Sequence, residues 1–134
     1  MTLISASIRE FVRLRAQYCC EYCHKPEGYS LYRHQIDHII ALKHEGSSEP
    51  DNLAYACFQC NTTKGSDVES YDGGILTPLF NPRIQDWNEH FEFDDALLIG
   101  KTAIGRVTIR VLQMNHPEQV ETRYRLMQAG VWSL

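Results

Sequence analysis

The sequence predicts a small α+β fold, and three observations carry that prediction. Two Cys-x-x-Cys pairs, Cys20/Cys23 and Cys57/Cys60, flank short runs with strand-like composition. Apolar residues recur at helical spacing outside those pairs, near both ends of the chain. A polar, turn-rich stretch separates the cysteine region from the later helices, and nothing repeats internally. At 134 residues the chain is read as one domain, 1–134, with a motif core over about 13–66 and an accessory tail over about 67–134.

Each element has a local reason. Ser7 and Glu10 have the spacing of a capping box, and Ile8, Phe11 and Val12 follow on one stripe, so a helix is expected over 8–17. Lys25 to Gly28 is a turn signal after the first cysteine pair. Leu31 to Ile40, with β-branched and aromatic residues around Asp37 and His38, reads as a strand or strand pair. The polar loop 44–52 leads to a short second strand, Leu53 to Ala56. Cys57 to Lys64 fits a knuckle that opens a short helix, with Gly65 as its stop. Residues 66–85, rich in Gly, Pro, Asp and Asn, are expected to be irregular.

Downstream, His90–Phe93 and Leu97–Gly100 around Asp94-Asp95 predict a hairpin. Thr102 is placed to cap a helix over 103–114, with Ile104, Val107, Val111 and Met114 on one side and Arg106 and Arg110 on the other. That basic stripe is a candidate phosphate-facing surface. Pro117 suits the first turn of a last helix ending near Gly130.

Composition bounds the function. No apolar run approaches the roughly 20 residues that span a bilayer. The first residues lack a basic leader followed by an apolar block, so a cytoplasmic setting is expected, where thiols stay reduced. The net charge of −4 argues against tight, indiscriminate binding to nucleic acid. It is unevenly spread: residues 1–65 carry seven basic and seven acidic side chains, and 66–134 carry six and ten.

In such a setting paired Cys-x-x-Cys motifs more often bind metal than form disulfides. Two residues between cysteines let both sulfurs converge on one ion from a tight turn. Cys20, Cys23, Cys57 and Cys60 therefore form a candidate tetrahedral S4 set, which favours structural Zn2+. Four protein ligands leave no open position for water. Cys19 is a bystander. The 33 residues between Cys23 and Cys57 are an insert, and it carries Asp37, His38 and Asn52.

Asp37-His38, Asn52-Leu53 and Cys57-x-x-Cys60-Asn61-x-x-Lys64-Gly65 resemble the HNH endonuclease family in its four-cysteine, zinc-bearing form. Residues 15–24 resemble the start of the same module. Pro82-Arg83, His90-Phe91 and Thr102–Thr108 resemble a tail found in some small bacterial members, to which no defined role attaches. The resemblance implies a ββα-metal fold and divalent-metal-dependent cleavage of phosphodiester bonds, with DNA as partner and RNA not separated from it. It implies His38 as general base, Asp37 as ligand of a catalytic metal, and Asn52 as the residue orienting the His38 ring. Asn61 stands where the family name carries a histidine, a variant also seen in the family.

The chemistry of each residue agrees. An imidazole with an unperturbed pKa of about 6.5 takes a proton from water near neutral pH. An amide carbonyl at Asn61 is a hard, neutral ligand and suits Mg2+ or Mn2+ better than Zn2+. Lys64 shares the helical face of Asn61, and two readings stand for it: a contact to a phosphate oxygen, or a plain exposed lysine. A non-catalytic zinc module that binds nucleic acid or protein is the alternative reading. The acidic charge favours that module; the presence of Asp37, His38 and Asn52 together favours the enzyme.

Overall fold

A computed structural model describes residues 4–132. Its helices and strands alternate in short pieces: α1 (Ala6–Arg15), β1 (Gln35–His38), β2 (Leu53–Ala56), α2 (Phe58–Lys64), β3 (Glu69–Asp72), β4 (Ile75–Pro78), α3 (Trp87–His90), β5 (Phe91–Asp94), β6 (Leu97–Gly100), α4 (Ala103–Val111) and α5 (Pro117–Gln128). Three separate two-stranded antiparallel sheets result, β1–β2, β3–β4 and β5–β6. The α+β expectation holds.

α1 begins earlier than the capping-box reading expects. Ser5 is the N-cap, and its Oγ accepts from the Ile8 amide at 3.2 Å. Glu10 pairs with Arg13 on the exposed face instead of reaching back to cap the helix. Gln17 and Tyr18, at φ 55° and 61°, end the helix in the left-handed region. Val12 packs with Leu53 and Tyr55, so α1 lies against β2.

Of the stretch 31–40, only Gln35–His38 is a strand; Leu31 is exposed. β1 pairs with β2 in the register Gln35↔Ala56 to His38↔Leu53. All four residues of β2 are buried, because α1 and the cysteine core cover its two faces. Asp37 is buried and His38 half-buried, as alternation along a strand requires. The hairpin and α2 complete a ββα arrangement.

The expectation of irregular chain over 66–85 is wrong for its first half. β3 and β4 pair from Glu69↔Pro78 to Asp72↔Ile75, around Gly73 and Gly74 at φ 56° and 87°. Two consecutive residues at positive φ make the tight turn whose twist matches a hairpin, and glycine adopts that backbone without strain. The Asp-Gly-Gly signal was present in the sequence.

The later elements follow expectation. β5 and β6 pair from Phe91↔Gly100 to Asp94↔Leu97. Thr102 caps α4, its Oγ1 accepting from the Gly105 amide at 3.1 Å. Gly105 lets α4 lie on α3: a Cβ there would stand 2.1 Å from the His90 carbonyl oxygen. Pro117 opens α5 behind a His116 cap.

One apolar cluster joins the cysteine region to the tail. It contains Cys20, Tyr22, Cys23, Cys57 and Cys60 together with Phe80, Phe91, Leu98, Val107, Leu112 and Met114. Polar bonds cross the same boundary. Arg83 donates to the Leu53 carbonyl at 3.1 Å and pairs with Glu21. The Trp87 indole donates to the Tyr22 carbonyl at 2.8 Å, and its ring stacks on His24.

The candidate basic stripe on α4 is already engaged. Arg106 makes two bonds to Asp72, at 3.2 and 2.9 Å, and Arg110 donates to the Tyr71 carbonyl. Both hold the β3–β4 hairpin. No helix among the described residues is long and apolar enough to cross a membrane.

Candidate active site and metal frame

Two turns bring four sulfurs together. In the first, Cys20 Sγ accepts from the amides of Tyr22 and Cys23, each at 3.4 Å. In the second, Cys57 is the N-cap of α2, and its sulfur accepts from the Cys60 amide at 3.4 Å. Cys-x-x-Cys spacing makes this local, since the amide two or three residues on turns back toward the first sulfur. The ligand atoms of Cys20, Cys23, Cys57 and Cys60 all lie within 4.8 Å of one another, and all four residues are buried.

The set fits zinc. A tetrahedron with Zn–S bonds of about 2.3 Å has S···S edges of about 3.8 Å, and Cys23 and Cys57 have their sulfurs 3.7 Å apart. Hydrogen bonds among the four sulfurs push the Cys23 and Cys60 thiols well above their ordinary range and hold Cys57 well below it. Such a cluster shares protons that a cation would displace. Cys19 is half-buried and stands outside the four, as expected.

Asp37 is held in the interior from two sides. Its Oδ2 accepts from the Tyr22 hydroxyl at 2.7 Å, and its Oδ1 accepts from Lys64 Nζ at 3.2 Å. Burial raises its carboxyl above the ordinary range, against the opposing pull of Lys64 and Tyr22.

Lys64 corrects an expectation. It was read as a phosphate contact or a plain exposed lysine, yet it is 2% exposed. Besides Asp37, its ammonium reaches the carbonyls of His38 at 3.3 Å and Ile39 at 3.1 Å. Position 64 lies one turn beyond Cys60 on the inward side of α2, so the side chain follows the helix into the core. Lysine three residues after Asn61 signalled a shared helical face, and could not show which way that face points.

Asn52 corrects a second one. Its amide does not meet the His38 ring. Its Oδ1 accepts from the Ile40 amide at 3.0 Å, and its Nδ2 donates to the carbonyls of Ile40 and Ser47, at 2.9 and 2.7 Å. Asn52 therefore closes the loop that leaves β1. That loop carries Ser48, whose Oγ lies 3.0 Å from His38 Nε2. The ring is oriented by Ser48, and Asn52 acts one step further out. A serine in a polar loop gave no sequence signal for this contact.

Asn61 sits on α2, half-buried, one turn before Lys64. Asp37 and Asn61 supply oxygen donors of the kind hard cations take. Both oxygens of the Asp37 carboxylate are already bonded, Oδ1 to Lys64 and Oδ2 to Tyr22. His34 takes no part: its Nε2 lies 2.8 Å from the Lys25 carbonyl, and its ring tilts against Tyr55.

Fold and frame together define a ββα module with a four-cysteine set able to hold a structural metal such as zinc. Residues 20–67 match the HNH endonuclease family, the stretch that holds both cysteine pairs, β1, β2 and α2. No curated protein and no solved structure matches the chain.

Proposed function

We propose that the protein is a divalent-metal-dependent HNH endonuclease that hydrolyses phosphodiester bonds in DNA. The observation that supports this best is a pair of adjacent side chains within the matched segment. At the end of β1, Asp37 turns inward against α2 while His38 stays at the surface of the hairpin. We read the whole chain as one nuclease domain, working where thiols stay reduced and Zn2+ fills the cysteine frame.

Asp37 and Asn61 would hold Mg2+ or Mn2+, whose chemistry is to neutralise charge on the scissile phosphate and leaving oxygen. His38 takes a proton from the attacking water. When its Nε2–H donates to Ser48, Nδ1 is left as the basic nitrogen. Asn52 keeps the Ser48 loop closed, so the ring does not swing. Lys64 positions Asp37 and the end of β1 from inside.

The test is plasmid cleavage with EDTA, Mg2+ or Mn2+, and RNA as a competing substrate. His38→Ala should lose about 100- to 10,000-fold in rate while keeping its Mn2+ affinity and its zinc. Asn61→Ala should instead need more metal and recover part of its activity when metal is added. Wild-type cutting by His38→Ala, with contaminating nuclease excluded, would overturn the mechanism. A second reading, a non-catalytic zinc module, draws support from Lys64, which neutralises Asp37 internally, and from the net charge of −4. Wild-type protein inert with every metal, yet binding nucleic acid, is the outcome it predicts.

A further inference from the structure

We propose that the loop before β1 and the start of α2 form a stacking platform for unpaired bases of the bound DNA strand. The inference rests on the nuclease reading given above, whose substrate it narrows to DNA with unpaired bases.

Large apolar side chains stand in water here. Leu31 is 90% exposed, and Tyr29 and Tyr32 are more than half exposed. Phe58, the first residue of α2, is 43% exposed, and its ring centroid lies 4.5 Å from that of Tyr32, with the planes 31° apart. The two rings brace one another and remain open to solvent. Single exposed apolar residues are ordinary, but a contiguous group marks a binding surface. Bases stack on such rings whatever their sequence, and an apolar side chain such as leucine wedges between bases that have come apart.

Charge indicates which partner covers this group. Of the thirteen lysines and arginines, nine are bonded to carboxylates or carbonyls of the chain itself. Among the described residues, Arg9, Lys25, Arg33 and Lys43 are the other four. Arg33 directly follows Tyr32 and is exposed. Lys25 is brought to the same place, because its carbonyl lies 2.8 Å from His34 Nε2. The carboxylates of the stretch are already engaged: Glu21 with Arg83, Glu27 with Arg13 and Tyr55, and Asp37 with Lys64 and Tyr22. This surface is therefore cationic although the chain carries −4, since the acidic excess belongs to residues 66–134. Open rings beside uncompensated cations fit a polyanion that carries aromatic bases.

The position also suits the matched segment. Asn61 follows Phe58 by three residues on α2, a spacing that puts Cβ atoms about 5–6 Å apart on the helix surface. A base held on the platform brings its own backbone beside Asn61.

Fluorescence anisotropy tests this with a labelled oligodeoxynucleotide single strand and the duplex of the same sequence. Zinc-loaded protein is used without added Mg2+ or Mn2+, so that nothing is cut. The single strand should bind about 10-fold tighter than the duplex. Tyr32→Leu combined with Phe58→Leu should weaken single-strand binding about 10-fold or more and leave the duplex nearly unchanged. Leu31→Ser, at a side chain with little folded contact to lose, should keep the melting temperature and weaken the single strand about 5-fold. Arg33→Gln should flatten the slope of log affinity against log salt by about 0.7. A stack that only staples the loop to α2 predicts lost stability with unchanged affinity. Single-strand affinity within twofold of wild type in the ring variant and in Leu31→Ser overturns the platform; if the ring variant does not fold, Leu31→Ser and Arg33→Gln decide it. Equal wild-type affinity for single strand and duplex overturns it as well, as does a dimer that Leu31→Ser dissolves, which would give the face to a second copy of the chain. Cleavage separates the two levels. Platform variants that bind and cut like wild type sink the platform and leave the nuclease reading standing. Single-strand binding that depends on these residues, in protein that cuts nothing with any metal, supports the platform and sinks the nuclease reading alone.

Discussion

The matched segment and the tail bury different kinds of atoms. In residues 20–67 the inward positions hold four sulfurs and the Tyr22–Asp37–Lys64 chain, with only small or few aliphatic groups such as Ile39, Ala54 and Ala56 beside them. The tail contributes Leu79, Phe80, Phe91, Leu98, Val107, Leu112 and Met114 to the same cluster. One region is held by directional bonds and the other by apolar area. A segment whose interior is given over to chemistry has little surface left for a hydrophobic core, so it takes one from its neighbour. Arg83 and Trp87 then fix how the two regions meet, each bonding to a backbone carbonyl of the segment.

The same contrast appears in single buried charges. Lys64 has a carboxylate partner, whereas Arg123 on α5, also buried, donates to the carbonyls of Ala96 and Met114 and to Asn115. Burial depresses the Arg123 guanidinium, and the cysteine cluster pulls the other way. The segment buries an ion pair; the tail buries a cation that ties loop ends together.

The largest effect should come from breaking the segment's metal frame. Cys57→Ser is expected to lose the zinc and most of the fold, because structural zinc binding is itself folding free energy. Metal analysis and circular dichroism read both, and well-folded protein without zinc would show that apolar area from the tail suffices.

Next in size is the buried pair. Lys64→Met leaves Asp37 without its cation, and breaking such a pair typically costs about 3–5 kcal/mol. Denaturant unfolding of the zinc-loaded protein with no added Mg2+ or Mn2+ should show that loss, and added Mn2+ should restore part of it, since a ligand that binds only the folded state stabilises it. Loss with no recovery in Mn2+ would make Asp37 a structural carboxylate alone.

The smallest is at the seam. Arg83→Ala removes bonds to Leu53 and Glu21 and should cost about 1–3 kcal/mol, with zinc content unchanged. If the transition stays single by two probes, segment and tail unfold together. Two transitions would show that the seam, and not the shared cluster, couples them.

Much of this was legible without coordinates where the signal is local. Cysteines with two residues between them converge from a turn, Thr102 marks a helix start by its side-chain cap and Pro117 by its fixed φ, and Asp94-Asp95 divides a hairpin. The β3–β4 turn was legible too, in Asp72-Gly73-Gly74, but Gly and Pro on either side resembled plain loop. Only the tertiary structure decided where side chains with several possible partners go. Lys64 meets Asp37 across 27 positions of sequence and Tyr22 meets it across 15. Asn52 closes a loop twelve residues away, leaving the His38 ring to Ser48. The physical reason is the same in each case. A residue's type and spacing determine which bonds it is able to make, while desolvation decides which it must make, and burial is a property of the assembled chain.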